Sequence, residues 1–143
     1  MPTQTLGNAD DRRWPPITAD KQWLDRVTRT IIGAGMKVSR TLGVGFLEKV
    51  YENALGIQIR REGLQVEQQH PIHVYYEREI VGAYSADLLV ESSVIVELKA
   101  QRALDEIHHL QCAHYLRATG LSVCLLMNFG RPRMEFRRIV NRF

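Results

Sequence analysis

The sequence predicts an α/β or α+β fold in which helices flank a mixed β-sheet. Three observations carry that reading. Two stretches of helical period come first, then a block of short runs rich in Val, Ile and Tyr, then a third helical stretch and two further strands. Turn-forming residues break the β-type runs at short intervals. The run Val94-Ile95-Val96-Glu97-Leu98-Lys99 is apolar on both faces, as a strand inside a core must be, except that Glu97 and Lys99 interrupt one face.

A chain of 143 residues suits one domain with a real core. Its 45% apolar and 24% charged residues are those of an ordinary globular protein. The net charge of +3 is unevenly spread: from Asn128 to Phe143 five arginines face the one acid Glu135, a local +4 that leaves −1 for the remainder. Such a segment suits a phosphate backbone, or is an edge strand kept soluble by arginine. Cys112 and Cys124 lie in apolar surroundings without CxxC spacing, so they read as free thiols of a reducing, cytoplasmic compartment. No apolar run reaches 18 residues, so no membrane partner is expected. The N-terminal stretch carries Asp10, Asp11, Arg12 and Arg13 and no apolar h-region, so it is not a secretory signal.

Residues 1–19 read as a flexible arm, with Trp14 docking on the body, and 20–143 as the single domain. Thr18 or Asp20 is placed to cap a first helix whose Trp23, Leu24, Val27, Ile31 and Val38 share a face, to about Arg40. Gly33 and Gly35 read as close-packing positions, and Leu42–Gly45 breaks the helix. A second helix spans Phe46 to Glu62 on the stripe Phe46, Val50, Leu55, Ile59, and stops at Gly63. Leu64–Gln69, His73–Glu77, Val81–Val90 and Val94–Lys99 form an antiparallel meander, with breaks at His70-Pro71, Glu77–Glu79 and Glu91–Ser93. A helix from Asp105 to Thr119 ends at Gly120; Leu121–Asn128 is an apolar strand and Met134–Val140 an outer one.

The chemistry concentrates on Asp87, in the apolar run Ala86–Val90, and on Glu97 and Lys99. Charges in a core must be paired or metal-bound. Two acids on adjacent strands can share a hard cation such as Mg²⁺, which prefers oxygen ligands and keeps several waters, and the peptide carbonyl of Leu98 could be a further ligand. A cation there would activate water at a phosphate, with the lysine orienting it or countering developing charge. The bland alternative is a buried Glu97–Lys99 or Asp87–Lys99 ion pair, or two strand-end charges in water. Glu48 and Tyr51, three apart, share a helix face, and Glu48 taken alone reads as a helix-start charge.

These residues, in this order, resemble the PD-(D/E)xK nuclease superfamily, a restriction-endonuclease-like α/β fold with core order α-β-β-β-α-β. Asp87 matches its first acid, Glu97-Leu98-Lys99 its E-x-K, Glu48 the acid of its first core helix, and Gln111-Cys112-Ala113-His114-Tyr115 the Q-x-x-x-Y motif of its exonuclease-like branch. Gly45-Phe46-Leu47-Glu48-Lys49-Val50-Tyr51 is similar to the signature of the GxxExxY family within it. Ile31–Ala34, Tyr75-Tyr76, His108 with Gln111, and Asn128-Phe129-Gly130 agree as well, and the likeness spans roughly residues 20–141. Ala86, directly before Asp87, stands in place of proline, and Val44 and Ser39 stand where the family often has proline and histidine; the acids and the lysine themselves are unchanged.

The resemblance implies a nuclease dependent on Mg²⁺ or Mn²⁺. Asp87, Glu97 and the Leu98 carbonyl would hold the metal, with Glu48 reaching it directly or through water. Lys99 would position the attacking water. Gln111 and Tyr115 would hold a phosphate or orient Lys99, or else pack helix on sheet. Tyr51 reads as packing, and His108 as a phosphate contact or a helix cap. Arg137 and Arg138 would bind the nucleic acid, DNA ahead of RNA, and a homodimer or partner protein is left open. The alternative is a non-catalytic nucleic-acid- or partner-binding module on the same fold, worked by the basic tail.

Overall fold

A computed structural model describes residues 17–141 and contains three helices and one five-stranded sheet. The expected arm at 1–19, with Trp14, lies outside the described residues for all but its last three positions. The elements are α1 (Ile17–Leu42), α2 (Glu48–Arg61), β1 (Val66–Tyr76), β2 (Glu79–Val90), β3 (Val94–Lys99), α3 (Glu106–Thr119), β4 (Val123–Asn128) and β5 (Glu135–Val140). This is the expected restriction-endonuclease-like α/β order. Because α1 already begins at Ile17, Thr18 and Asp20 fall inside the helix and do not precede it as caps.

The sheet order is β1-β2-β3-β4-β5, with β3 and β4 parallel and every other pair antiparallel. The parallel pair follows from the crossover through α3, since two such strands need a long connection between them. β4 is buried at every position and β3 at every position but Lys99, as strands covered by helices on both faces must be. One core, on the α1/α2 side, joins Val27, Ile31, Ala34 and Val38 of α1 to Leu55 and Ile59 of α2 and to Leu88, Val96, Leu98, Leu125 and Met127 of the sheet. The other, under α3, joins Cys112, Tyr115 and Leu116 to Ala86, Leu89, Ile95, Cys124, Leu126 and Ile139. Both cysteines are free and buried, as expected.

One expected break does not exist. His70-Pro71 does not separate two strands; both residues lie within β1 and stay in register, Pro71 opposite Ser85. Proline lacks a ladder donor, but β1 is an edge strand, so its nitrogen needs no second partner. One residue earlier Gln69 turns left-handed, at φ +54°, and the ladder's register shifts further out, between Val74 and Tyr75. The tight turns are as expected, with Glu77, Arg78, Glu91 and Ser92 in the left-handed region. β2 pairs with β1 from Val90 to Glu79, but with β3 only at Leu88, Leu89 and Val90. Beyond that point the hairpin extends past the third strand.

The C-terminal ends of β3 and β4 are tied together. Asn128, fully buried, accepts from the Gln101 and Gly130 amides at 3.0 and 3.1 Å and donates to the Gln101 carbonyl at 2.8 Å. The Phe129 amide donates to the Lys99 carbonyl at 2.8 Å. Gly130 lies so close to the Gln101 backbone that a Cβ has no room. Gly35 is likewise pressed against the Met127 and Met134 side chains, whereas Gly33 has open space around it and is not the packing position expected. Gly130→Ala should therefore destabilise by about 2 kcal/mol or more and lower Tm by roughly 5 °C or more. Gly33→Ala, at an exposed helix position, should instead stabilise by about 0.5–1 kcal/mol; thermal melts of the two variants check both signs.

Candidate metal centre at the sheet fork

The site forms where β2 parts from β3. Their last ladder pair is Leu88 with Val96. One step on, the side chains replace the ladder. The Asp87 amide donates to the Glu97 carboxylate at 2.9 Å, and the Leu98 amide donates to the Asp87 carboxylate at 2.8 Å. Each acid thus satisfies a backbone donor of the opposite strand and is fixed in place by doing so. Asp87 and Glu97, paired in the sequence reading by spacing and type, are brought together.

Glu48 arrives from α2. Gly45, at φ +110°, allows a turn that a side chain would strain, and α2 then begins at Glu48 itself. Tyr51 anchors that turn: its hydroxyl donates to the Gly43 carbonyl at 2.6 Å and accepts from the Phe46 amide at 3.3 Å. Its ring stacks on Phe129 at 5.0 Å. The spacing Gly45-x-x-Glu48-x-x-Tyr51 is therefore a mechanical unit of bend, acid and anchor. Glu48 Oε2 reaches the Ala100 amide, at 3.4 Å, beside the end of β3.

Two site residues escaped the sequence reading. Gln69 donates to Asp87 at 3.3 Å and to Glu52 at 2.9 Å. Glu52 is buried and also accepts from Gln68 at 2.8 Å and Lys49 at 2.9 Å. A buried acid is thus linked through one amide to Asp87. The signal available was Glu52 itself, four residues after Glu48 on the same helix; nothing local in Gln69 announces its unusual φ.

Burial pushes the Glu97 carboxyl up to about 8, and the nearby Asp87 charge adds to this against the amide bond and Lys99. Burial raises Asp87 as well, opposed by its bonds to Leu98 and Gln69, with the charges of Glu52 and Glu48 adding to the rise. The simple ion pair is not formed: among the described residues, no salt bridge within 4 Å joins Lys99 to either acid. Lys99 is half-buried, on the β3 face that also carries Glu97 and Ile95.

Among the described residues no three His, Cys, Asp or Glu side chains form a closed cage for a metal. That excludes a zinc-type site more than a magnesium one, because Mg²⁺ takes one or two carboxylates and keeps its waters. A buried acid, Glu97, beside a half-buried one, Asp87, with no salt-bridge partner among the described residues, fits a divalent ion, which would supply the missing countercharge. Asp87 and Glu97 would hold it, with the Leu98 carbonyl and Glu48 as further donors.

The α3 residues divide. Tyr115 is buried under the sheet, its ring 5.9 Å from that of Tyr84, and Gln111 is half-buried beside it on a cleft of about 810 Å³. Tyr115 packs helix on sheet, as one of its two readings had it. Burial, then the charges of Glu97 and Asp87, drives its hydroxyl up, which places it near the acids. His108 is a cap: its Nδ1 accepts from the Asp105 amide at 3.2 Å while Asp105 accepts from the Ile107 amide at 3.0 Å. The basic tail is not one patch. Arg138 lies beside Leu125, on the α1 side, and donates to Asp25 at 2.8 Å; Arg137 lies beside Leu126, on the α3 side. Alternation along β5 sends the two arginines to opposite faces, and Arg131 pairs with Glu135 at 3.5 Å.

The family model of the PD-(D/E)XK nuclease superfamily matches residues 25–139. Among solved structures, the fold is similar to the crystal structure of SSO0001, with TM-score 0.54 and 14% identity over 67% of this chain and 51% of that one. It is similar also to an alkaline exonuclease, LHK-Exo, from Laribacter hongkongensis, with TM-score 0.50 and 16% identity over 66% of this chain and 56% of that one. The aligned part thus spans about half the length of either structure. No curated protein matches the sequence.

Without divalent metal the acids give stability a definite pH dependence. Glu97 titrates near 8 when folded and at 4.5 in its reference state, so the folded chain holds that proton longer. Its contribution is full below about pH 4.5 and is lost as pH rises through about 8. In EDTA, Tm should fall between pH 6 and 9, and Glu97→Gln should flatten that fall; an unchanged slope in the variant would refute the assignment.

Proposed function

The chain belongs to the PD-(D/E)XK nuclease superfamily, and from that premise we propose that it hydrolyses phosphodiester bonds in nucleic acid, DNA ahead of RNA, using Mg²⁺ or Mn²⁺. The observation that carries the reading is the fork itself: Glu97 held by the Asp87 amide and Asp87 by the Leu98 amide, each across to the opposite strand, with Glu97 deeply buried, Lys99 on its face and no ion pair between lysine and acid. A purely structural arrangement of these charges would pair the lysine with an acid.

Each residue then has a task. Asp87 and Glu97 bind the divalent ion, which when bound polarises a phosphate oxygen and lowers the pKa of a coordinated water. The Leu98 carbonyl and Glu48 complete its surroundings. Lys99 orients the attacking water and opposes the negative charge that develops on the phosphate. Gln111 steadies the scissile group. Within the superfamily, the bend-acid-anchor unit at Gly45, Glu48 and Tyr51 supports membership of the GxxExxY branch. The activity belongs to a single domain beginning near residue 20, and the two free buried cysteines support a reducing, cytoplasmic setting. No helix among the described residues is long and apolar enough to cross a membrane. A homodimer would let two such sites reach both strands of a duplex, and size-exclusion chromatography reads that directly.

Purified protein should degrade DNA or RNA in Mg²⁺ or Mn²⁺ and cease to do so in EDTA. Lys99→Ala should lower the rate about 100-fold or more, with circular dichroism and Tm unchanged. Equal rates for the variant and the parent chain would mean that the site is not where the chemistry happens.

A further inference from the structure

The cleft beside the acids carries features that phosphodiester hydrolysis alone does not require. Its walls come from the outer half of the β1–β2 hairpin and from α3, and its volume is about 810 Å³. On the hairpin side it presents His73, Tyr75 and Tyr84; on the helix side, His114, Tyr115 and Arg117. Tyr75 and Tyr84 are 60% and 52% exposed, far more than large aromatic rings need to be if packing were their purpose. The rings are arranged edge to face or tilted, His73 with Tyr75 at 6.4 Å and Tyr84 with Tyr115 at 5.9 Å. Tyr84 lies opposite Ile72, on the α3 side of the hairpin.

The acids do not line the cleft but lie near it. Tyr115, on its floor, packs with Ala86, next to Asp87, and with Ile95, two residues before Glu97 on the same face. Along β2, Tyr84 is three residues from Asp87, roughly 10 Å at strand rise. No acid lines the cleft, and its charged or chargeable side chains are Arg117 and the two histidines.

Resting on the nuclease reading above, we propose that this cleft binds single-stranded nucleic acid, its unstacked bases lying on Tyr75 and Tyr84 and its backbone leading to the Asp87–Glu97 fork. Aromatic faces bind bases only when the bases are free of a duplex stack, and such stacking is tolerant of sequence. A duplex would offer the cleft phosphates alone, and would call for a dense basic surface. The cleft has one arginine, and the tail arginines that might have extended it point to opposite faces of the sheet. Rings exposed beside few cations fit a strand held by stacking more than by charge.

The test uses the full chain in EDTA, so that binding is read apart from cleavage. Fluorescence anisotropy is measured with labelled oligodeoxythymidine and with a blunt duplex of equal length. Single strand should bind more tightly than duplex. Tyr84→Ala and Tyr75→Ala should each weaken single-strand binding about tenfold or more, while Tyr84→Phe and Tyr75→Phe retain it; both positions are exposed, so folding is not at issue. Duplex binding equal to or tighter than single-strand binding, indifference to the alanine changes, or self-association of the parent chain that the alanine changes abolish would overturn the proposal. Failure of the two readings is distinguishable. Tyrosine-dependent single-strand binding without cleavage in Mn²⁺ sinks the nuclease reading and keeps the occupant. Cleavage of duplex at a rate the tyrosine changes do not alter keeps the nuclease and sinks the occupant.

Discussion

The structure depends on what happens one residue beyond the Leu88–Val96 pair. A sheet that simply continued would close the space between β2 and β3 with backbone hydrogen bonds. Instead Asp87 and Glu97 each take an amide from the opposite strand. The strands are free to diverge because their donors remain satisfied, and the groups that satisfy them are carboxylates. Concentrated negative charge is therefore a condition of the fork. Gln69 and Glu52 brace it from β1 and α2, Glu48 approaches over the end of β3, and the Asn128 clamp keeps the ends of β3 and β4 level.

The resulting electrostatics run against ordinary core building. Glu97 sits where a charge is unfavourable, and among the described residues no cation pairs with it within 4 Å. A protein can hold such a group by protonating it or by bringing in a cation. The first makes the site inert and the second makes it chemical, and the same burial sets the balance between them.

Much of this was legible in the sequence because it is periodic or typed. Val27, Ile31 and Val38 announced the face of α1, and the apolar run of β4 announced a strand covered on both sides. Asp87, Glu97 and Lys99 stood out because charge in an apolar run needs a reason. What was illegible depends on long-range geometry. Pro71 looked like a break because proline usually interrupts a sheet, and only its place on an edge strand makes it harmless. Gln69 is an unremarkable residue until its backbone turns left-handed opposite Asp87. Arg137 and Arg138, adjacent in sequence, read as one patch until alternation along β5 parts them. His108 had two readings that local sequence could not separate; the Asp105 cap chose between them.

The short partnership of β2 with β3 reaches beyond topology. Over Leu88–Val90 the strand has neighbours on both edges, but from Ala86 out to Glu79 only β1 holds it. Stiffness therefore grades along a single strand, from a core segment whose opening requires global unfolding to a tip whose opening breaks only hairpin bonds. Asp87 stands at the boundary. Tyr84 lies on the pliant side, facing a helix that packs on β4, β5 and the inner part of β1. The outer hairpin can then shift at smaller free-energy cost than the fork, and the spacing of Asp87 and Glu97 does not depend on where its tip lies.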